Sequence, residues 1–149
     1  MILMEAMENL ADYIRPVVKE YYTRNKSGEK QVEVYAGYPP IRTTADEVPS
    51  FIYCMVTAFH DEEGGNSKAD IEIGFSIYDS DEKEGWRSLY NIMEHVRQAL
   101  LRQRTIAGRN RLLLPCQGQI ADSQPFPQWQ GRIMVSYTIA QPVEEGFDV

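Results

Sequence analysis

The sequence predicts an α+β fold, with one antiparallel sheet of four to five strands and two main helices packed on one face of it. Two segments with helical spacing of apolar residues, and strands that alternate apolar with polar residues, are the basis of this prediction. Alternation of this kind is typical of a sheet that buries only one face. The chain has 149 residues, which corresponds to a single domain over residues 1–149.

The first half of the chain contains one helix and two strands. Apolar residues recur at steps of three and four over residues 3–21, which predicts an amphipathic helix. Pro16 lies inside this pattern and should kink the helix or end it at Ile14–Arg15. Residues 29–38 alternate like a strand with one wet face. The run Phe51–Phe59 is the richest in β-forming residues and is predicted to be a central strand.

The second half begins with a hairpin and a second helix. A flexible hairpin tip is expected at about residues 60–69, because Gly and Asn cluster there. The segment Ile71–Ile77 follows with strict period-two alternation and is predicted to be a half-buried strand. After the acidic entrance Ser80–Glu84, a second amphipathic helix is expected from Trp86 to about residue 104, stopped near Gly108.

The C-terminal third is predicted to hold one long loop and one further strand. The short apolar piece Leu112–Leu114 precedes a loop rich in Gln and Pro at residues 115–130. The alternating segment Ile133–Ile139 is the last predicted strand, and residues 142–149 form an acidic tail.

Composition and charge exclude several classes of protein. The net charge is −7, from 22 acidic and 15 basic residues, which argues against a protein that binds nucleic acid over its whole surface. Cys54 and Cys116 have no CxxC or histidine partners and are expected to be free thiols. The N-terminus lacks the basic region of a signal peptide, and no apolar stretch is long enough to span a bilayer. We therefore expect no membrane association.

Metal-binding and catalytic patterns are weak. Asp79, Asp81 and Glu82 resemble the start of a calcium loop, but Lys83 and Glu84 occupy the positions where that loop needs a ligand and a glycine. The two histidines are better explained as a hairpin residue and a residue at the edge of the core. No motif brings a nucleophile, a base and an oxyanion donor together, so the sequence predicts no enzyme, no metal and no cofactor.

The charges are distributed unevenly along the chain. Residues 46–84 contain eleven acidic residues and two lysines, whereas six arginines lie within residues 87–111. The arginines are open to three interpretations: a patch for phosphates or an acidic protein, favourable charges at a helix C-terminus, or a basic flank that meets an acidic flank of the next subunit in a ring. The third interpretation is preferred here. It gives these candidate interface residues: Arg97, Arg102, Arg104, Arg109, Arg111, Asp61, Glu62, Glu63, Asp79 and Asp81.

The order of elements, together with the helix segment Trp86–Met93 and the closing segment Gly131–Ile139, resembles the tail terminator (tail-completion) proteins of long-tailed, lambda-like bacteriophages. Members of that family form a six-fold ring that caps the tail tube, ends its polymerisation and presents the surface that joins the head. The resemblance implies a non-enzymatic subunit of a phage or prophage tail, assembled in the bacterial cytoplasm. Its partners would be further copies of itself, the tail tube protein and a head-completion or connector protein, with DNA only passing through the lumen.

Two predicted loops offer contacts for such partners. The hairpin tip contributes Asn66 and Lys68, and the 115–130 loop contributes Phe126 and Trp129, as residues that contact the tube or another partner. The alternative for the two aromatic residues is a loop folded back over the face of the sheet that lacks helices. Two other functions remain open at this point: a small bacterial enzyme or ligand-binding domain of similar shape, and a head–tail connector adaptor.

Overall fold

The computed structural model describes residues 2–25, 28–40 and 50–146. These residues form two helices and eight strands, which follow one another along the chain as α1 (Ile2–Val18), β1 (Tyr22–Asn25), β2 (Gly28–Gln31), β3 (Glu33–Ala36), β4 (Phe51–Asp61), β5 (Ser67–Tyr78), α2 (Trp86–Arg102), β6 (Thr105–Ile106), β7 (Asn110–Ile120) and β8 (Gln128–Thr138).

Six of the strands form one curled, mixed sheet in the order β3-β4-β5-β8-β7-β6. The predicted fold class is therefore wrong, because the sheet has six strands and not four to five, it is curled, and β3 and β4 pair parallel and not antiparallel. β3 pairs parallel with β4, since the register runs from Glu33 opposite Phe51 to Ala36 opposite Cys54. β1 and β2 form a separate antiparallel hairpin. The unpredicted strands β1 and β6 have only two to four residues, which is too short for a clear period-two pattern. The segment 29–38, predicted as one strand, is divided between β2 and β3.

The core lies between the sheet and the two helices. β5 is confirmed as a strand, and its apolar side chains from Ile71 to Ile77 are at most 2% exposed. The predicted half-burial is wrong for its second half, because Gly74 and Ser76 are buried as well. β4 is confirmed as a strand, but it is not central: it lies between β3 and β5, and β3 pairs only with its first four residues. α1 packs mainly on β3 and β4, and α2 mainly on β8 and β5. Tyr13 of α1 donates a hydrogen bond to the Ala99 carbonyl of α2 at 2.8 Å.

The ends of several elements differ from the prediction. α1 continues through Pro16 to Val18, since a proline this close to the end of a helix removes only one hydrogen bond. α2 ends at Arg102, and a tight turn with positive φ at Ala107 and Gly108 joins β6 to β7. The Arg109 N–H closes this turn onto the Ile106 carbonyl at 3.0 Å.

The predicted 115–130 loop is much shorter in the structure. β7 continues to Ile120 and β8 begins at Gln128, so only residues 121–127 connect them. β7 accommodates Pro115 because the register with β8 shifts between Leu113 and Gln117, and an irregularity of this kind is where a strand tolerates proline. The hairpin tip is likewise reduced to residues 62–66. Within the described part of the chain, neither helix has the length and apolar character needed to cross a membrane.

Tyr137 places a polar hydroxyl group in the core. Its side chain is fully buried, and its hydroxyl neither donates nor accepts a hydrogen bond within the described residues. Burial raises the pKa of this phenol, so it stays neutral at every ordinary pH.

We expect Tyr137→Phe to leave the free energy of unfolding unchanged or raise it by up to about 1 kcal/mol, because an unpaired buried hydroxyl costs stability. Tyr13→Phe is the matched control: it removes the hydrogen bond to Ala99 and should cost about 1 kcal/mol. Urea unfolding of both variants measures the difference, and a larger loss for Tyr137→Phe than for Tyr13→Phe would contradict it.

Candidate functional site

The acidic hairpin tip and the arginine-rich segment lie at the same end of the sheet, on opposite lateral sides. Along one row of the register, His60 pairs with Lys68 and Lys68 pairs with Thr138. The Arg111 N–H reaches the Thr138 hydroxyl at 2.9 Å. Three strand spacings, about 14 Å, therefore separate β4 from β7. The molecule has an acidic edge at β4 and a basic edge at β6 and β7.

The acidic edge is held by hydrogen bonds at the hairpin tip. Asp61 accepts a bond from the Ser67 hydroxyl at 2.6 Å, and the Glu62 N–H donates to the Asn66 carbonyl at 2.8 Å. The Gln141 side chain donates to the Glu62 carbonyl at 3.0 Å. The carboxylates of Glu62 and Glu63 are exposed, so the tip presents negative charge on a defined backbone.

The basic edge is built from the end of α2 and the β6–β7 turn. Arg97 makes an ion pair with Glu94 at 2.9 Å, and Arg109 pairs with Glu5 of α1. All five predicted arginines are exposed; the other three are Arg102, Arg104 and Arg111. Asn110 is buried and fixes this region, since it accepts a bond from Asn9 and donates one to the Thr138 carbonyl, each at 2.9 Å.

Asp79 and Asp81 do not belong to the acidic edge. They follow Tyr78 at the far end of β5, about 36 Å along the strand from the hairpin tip. Asp79 accepts a bond from the Ser88 hydroxyl at 2.6 Å, and Asp81 accepts bonds from the Lys83 and Glu84 N–H groups at 3.0 Å. The backbone N–H groups of Glu84 and Lys83 lower the pKa of Asp81. Both carboxylates stabilise the entrance to α2.

The predicted aromatic contacts lie at that same far end. The Trp129 indole N–H donates to the Asp79 carbonyl at 3.0 Å, and its ring packs against the core on the helix side. Phe126 meets the Trp129 ring edge-on at 6.1 Å and is 46% exposed. Trp129 is thus mainly structural, whereas Phe126 presents an exposed apolar surface.

Asn66 and Lys68 lie at the other end of the sheet. They line a cavity of about 400 Å³ together with His60 and Thr138. The four predicted contact residues are therefore split between the two ends of the strands.

The face of the sheet without helices carries a polar row that the sequence analysis missed. The Tyr53 hydroxyl donates to Glu72 at 2.9 Å, and Glu72 forms an ion pair with Arg132 at 3.1 Å. Arg132 also donates to the Gln119 side chain at 2.9 Å. This row crosses β4, β5, β8 and β7 next to a groove of about 380 Å³. The sequence indicates only that these polar residues alternate with the core-facing apolar residues of their strands.

The tyrosine of this row is protonated at neutral pH. Burial, together with the hydrogen bond to Glu72 and its charge, raises the pKa of Tyr53 to about 12, so its phenol is not a base at neutral pH.

No group of three metal-ligating side chains occurs among residues 2–25, 28–40 and 50–146. Cys54 is buried with a pKa raised by burial to about 12, and Cys116 is half-buried. His95 is exposed on α2 and contacts the Tyr21 hydroxyl at 2.6 Å.

Asp70 is the carboxylate of this face whose pKa shift has a consequence for stability. The Ser136 hydroxyl, at 2.6 Å, is the main cause that lowers the pKa of Asp70; His60, at 3.1 Å, and Lys68 add to it, and partial burial opposes it. A carboxyl group with a lower pKa in the folded state stabilises the fold above its ordinary pKa, and this contribution disappears as the pH falls through the folded value.

We therefore expect Ser136→Ala to lower the free energy of unfolding at pH 7 by about 1 kcal/mol, and the difference from the parent chain to shrink as the pH falls below about 4. Chemical denaturation at several pH values between 2 and 7 measures this. A difference that stays constant over the whole range would contradict the assigned role of Asp70.

Comparison with solved structures shows what this chain resembles in fold. No family model matches the sequence, and no curated protein matches it. A chain in the solved structure "Virion of native gene transfer agent (GTA) particle" matches with a TM-score of 0.52 and 12% sequence identity. The match covers 95% of this chain and 96% of that chain. The two chains share a fold. At this identity the likeness establishes the fold alone.

Proposed function

We propose that this protein is a structural subunit of a phage-like virion, and more specifically a tail terminator that caps the tail tube as a ring of six copies. The observation that carries the proposal is the shared fold with a chain of a gene transfer agent virion, which extends over nearly the whole of both chains.

The distribution of charge supports a ring. A ring needs a heterologous interface, in which one side of a subunit meets the other side of the next. The acidic edge, with Asp61, Glu62 and Glu63, and the basic edge, with its five arginines, lie on opposite lateral sides at the same height. Charges arranged in this way select head-to-tail contact over contact between two like edges. Asp79 and Asp81 serve the α2 entrance instead and are left out of this interface.

The two ends of the sheet supply the remaining contacts. In a ring whose strands run roughly along the ring axis, one opening presents Asn66 and Lys68, and the other presents Phe126 supported by Trp129. A terminator needs two such surfaces, one for the tail tube and one for the head-completion or connector protein. DNA passes through the lumen, and the excess of acidic residues keeps the subunit from binding it tightly.

Tube assembly tests this function. Tail tube protein encoded in the same genome is polymerised with and without this chain, and tube lengths are measured by electron microscopy. We expect the chain to be found at tube ends and to stop elongation when added at one ring per tube. Unchanged lengths together with no binding to tubes would overturn the terminator proposal, and binding to the head connector alone would indicate an adaptor instead.

A further inference from the structure

Both lateral edges of the sheet have a stretch of strand with no described strand beside it. β3 covers β4 only from Phe51 to Cys54, and the Val56 N–H is directed at the Met7 sulfur of α1 at 3.2 Å. Among the described residues, no strand therefore pairs with the outer edge of residues 57–61. On the other side of the sheet, β6 pairs only with Asn110 and Arg111 of β7. Beyond the register shift between Leu113 and Gln117, no described strand pairs with the outer edge of residues 117–120. Strand edges of this kind present alternate N–H and C=O groups to a partner.

An exposed apolar side chain stands on one edge and an apolar groove on the other. Phe59 is 58% exposed, and because it pairs with the fully buried Ala69, its side chain is on the helix side of the sheet. The groove lies on the helix side of β7 and has a volume of about 250 Å³. Its lining includes Tyr90, Met93 and Gly118. Gly118 leaves space there, since a methyl group added to it would touch nothing closer than 3.8 Å.

We propose that neighbouring copies of this chain join by antiparallel pairing of β4 residues 57–61 with β7 residues 117–120, so that Phe59 of one copy fills the groove beside Gly118 of the next. This inference rests on the proposed ring and specifies its interface. The pairing places Phe59 opposite Gly118 and His60 opposite Gln117. It brings Asp61 and the acidic tip next to Arg97, which lines the same groove.

The offset between the two open edges is compatible with closure of a continuous sheet. Phe59 is in register with Ala69 of β5, whereas Gly118 is in register, through Ile133 of β8, with Ile73 of β5. The offset is four residues for each repeat of four strands, β4, β5, β8 and β7. This amounts to a displacement of one residue per strand. Closed barrels in which the total displacement (the shear) equals the number of strands have the same displacement, and their strands are tilted by about 36°. Repeated pairing can therefore close on itself.

Disulfide trapping tests the pairing. His60→Cys and Gln117→Cys, both at exposed positions, are combined in a Cys116→Ala background and oxidised mildly. We expect a ladder of covalent multimers up to the closed ring. Mixing the two single-cysteine chains should give covalent dimers and nothing larger, because each chain then has only one linkable edge. Either single-cysteine chain alone should give none.

Two substitutions complete the test. Phe59→Ala in the double-cysteine chain should reduce the trapped multimers at least tenfold. Leu114→Ala, which changes an apolar residue of similar exposure (50% against 58%) outside the contact, should leave them unchanged. If light scattering shows a ring but no ladder forms, the edge pairing is overturned and the proposed function stands. If the chain stays monomeric and also fails to bind tubes, both are overturned.

Discussion

Reversing the charge of the hairpin tip is expected to abolish ring formation. In the triple variant Asp61→Lys, Glu62→Lys, Glu63→Lys, the acidic edge would face the basic edge of the next subunit with like charge. Like charges across an interface cost several kcal/mol, which would weaken association by at least about a hundredfold. Light scattering at about 0.15 M salt measures the loss, because higher salt screens exposed charges.

Reversing the charge of the basic edge as well tests whether the two edges act as a pair. Arg102→Glu, Arg104→Glu and Arg111→Glu, combined with the reversed tip in the same chain, should restore assembly, since the charges are then complementary with opposite sign. Reversal of three exposed acids elsewhere, Glu8, Glu82 and Asp122, changes the net charge equally and should leave assembly intact. If that control variant loses the ring as well, net charge and not edge complementarity would govern association.

Gly74→Ala is expected to be among the most destabilising single substitutions in the sheet. The Tyr53 ring lies directly over Gly74 on the neighbouring strand, and a Cβ atom at this position would overlap the ring. The ring would have to move, which would break its hydrogen bond to Glu72. Overpacking and the lost bond together should lower the free energy of unfolding by about 2–4 kcal/mol, as measured by urea denaturation.

Gly118→Ala is the matched control for stability. Gly118 is also a strand glycine, but its added methyl group would make only ordinary contacts at 3.8 Å and beyond. Its free energy of unfolding should stay the same or rise by up to about 1 kcal/mol. In a Tyr53→Ala background the cost of Gly74→Ala should largely disappear. Persistence of the full cost there would show that the ring is not its cause.

The sequence predicts those elements whose periodicity is strong and long. Both helices, β5 and the part of β8 from Ile133 onward fall into this group, because one side of each stays apolar over its predicted length. The parallel pairing of β3 depends on where the chain returns, and no local pattern encodes that. β7 was missed because Pro115 interrupts it, although an irregular register allows the strand to continue on both sides.

The candidate site could be predicted only in part. The acidic and basic blocks are visible in the sequence, but the length of β5 decides which acids share an end with the arginines, and it removes Asp79 and Asp81. Phe59 could not be assigned to a face, since an irregularity between Val56 and Ala58 shifts the alternation and moves it to the helix side. The groove beside Gly118 arises from register across three strands and from the position of α2.

The mass of the assembled particle tests the central claim most directly. Light scattering on the purified chain, alone and after mixing with short tail tubes, should show a species of six times the chain mass of 17.1 kDa, or six copies bound per tube end. A mass of one chain at every protein and salt concentration, with no copies bound to tubes, would contradict the account.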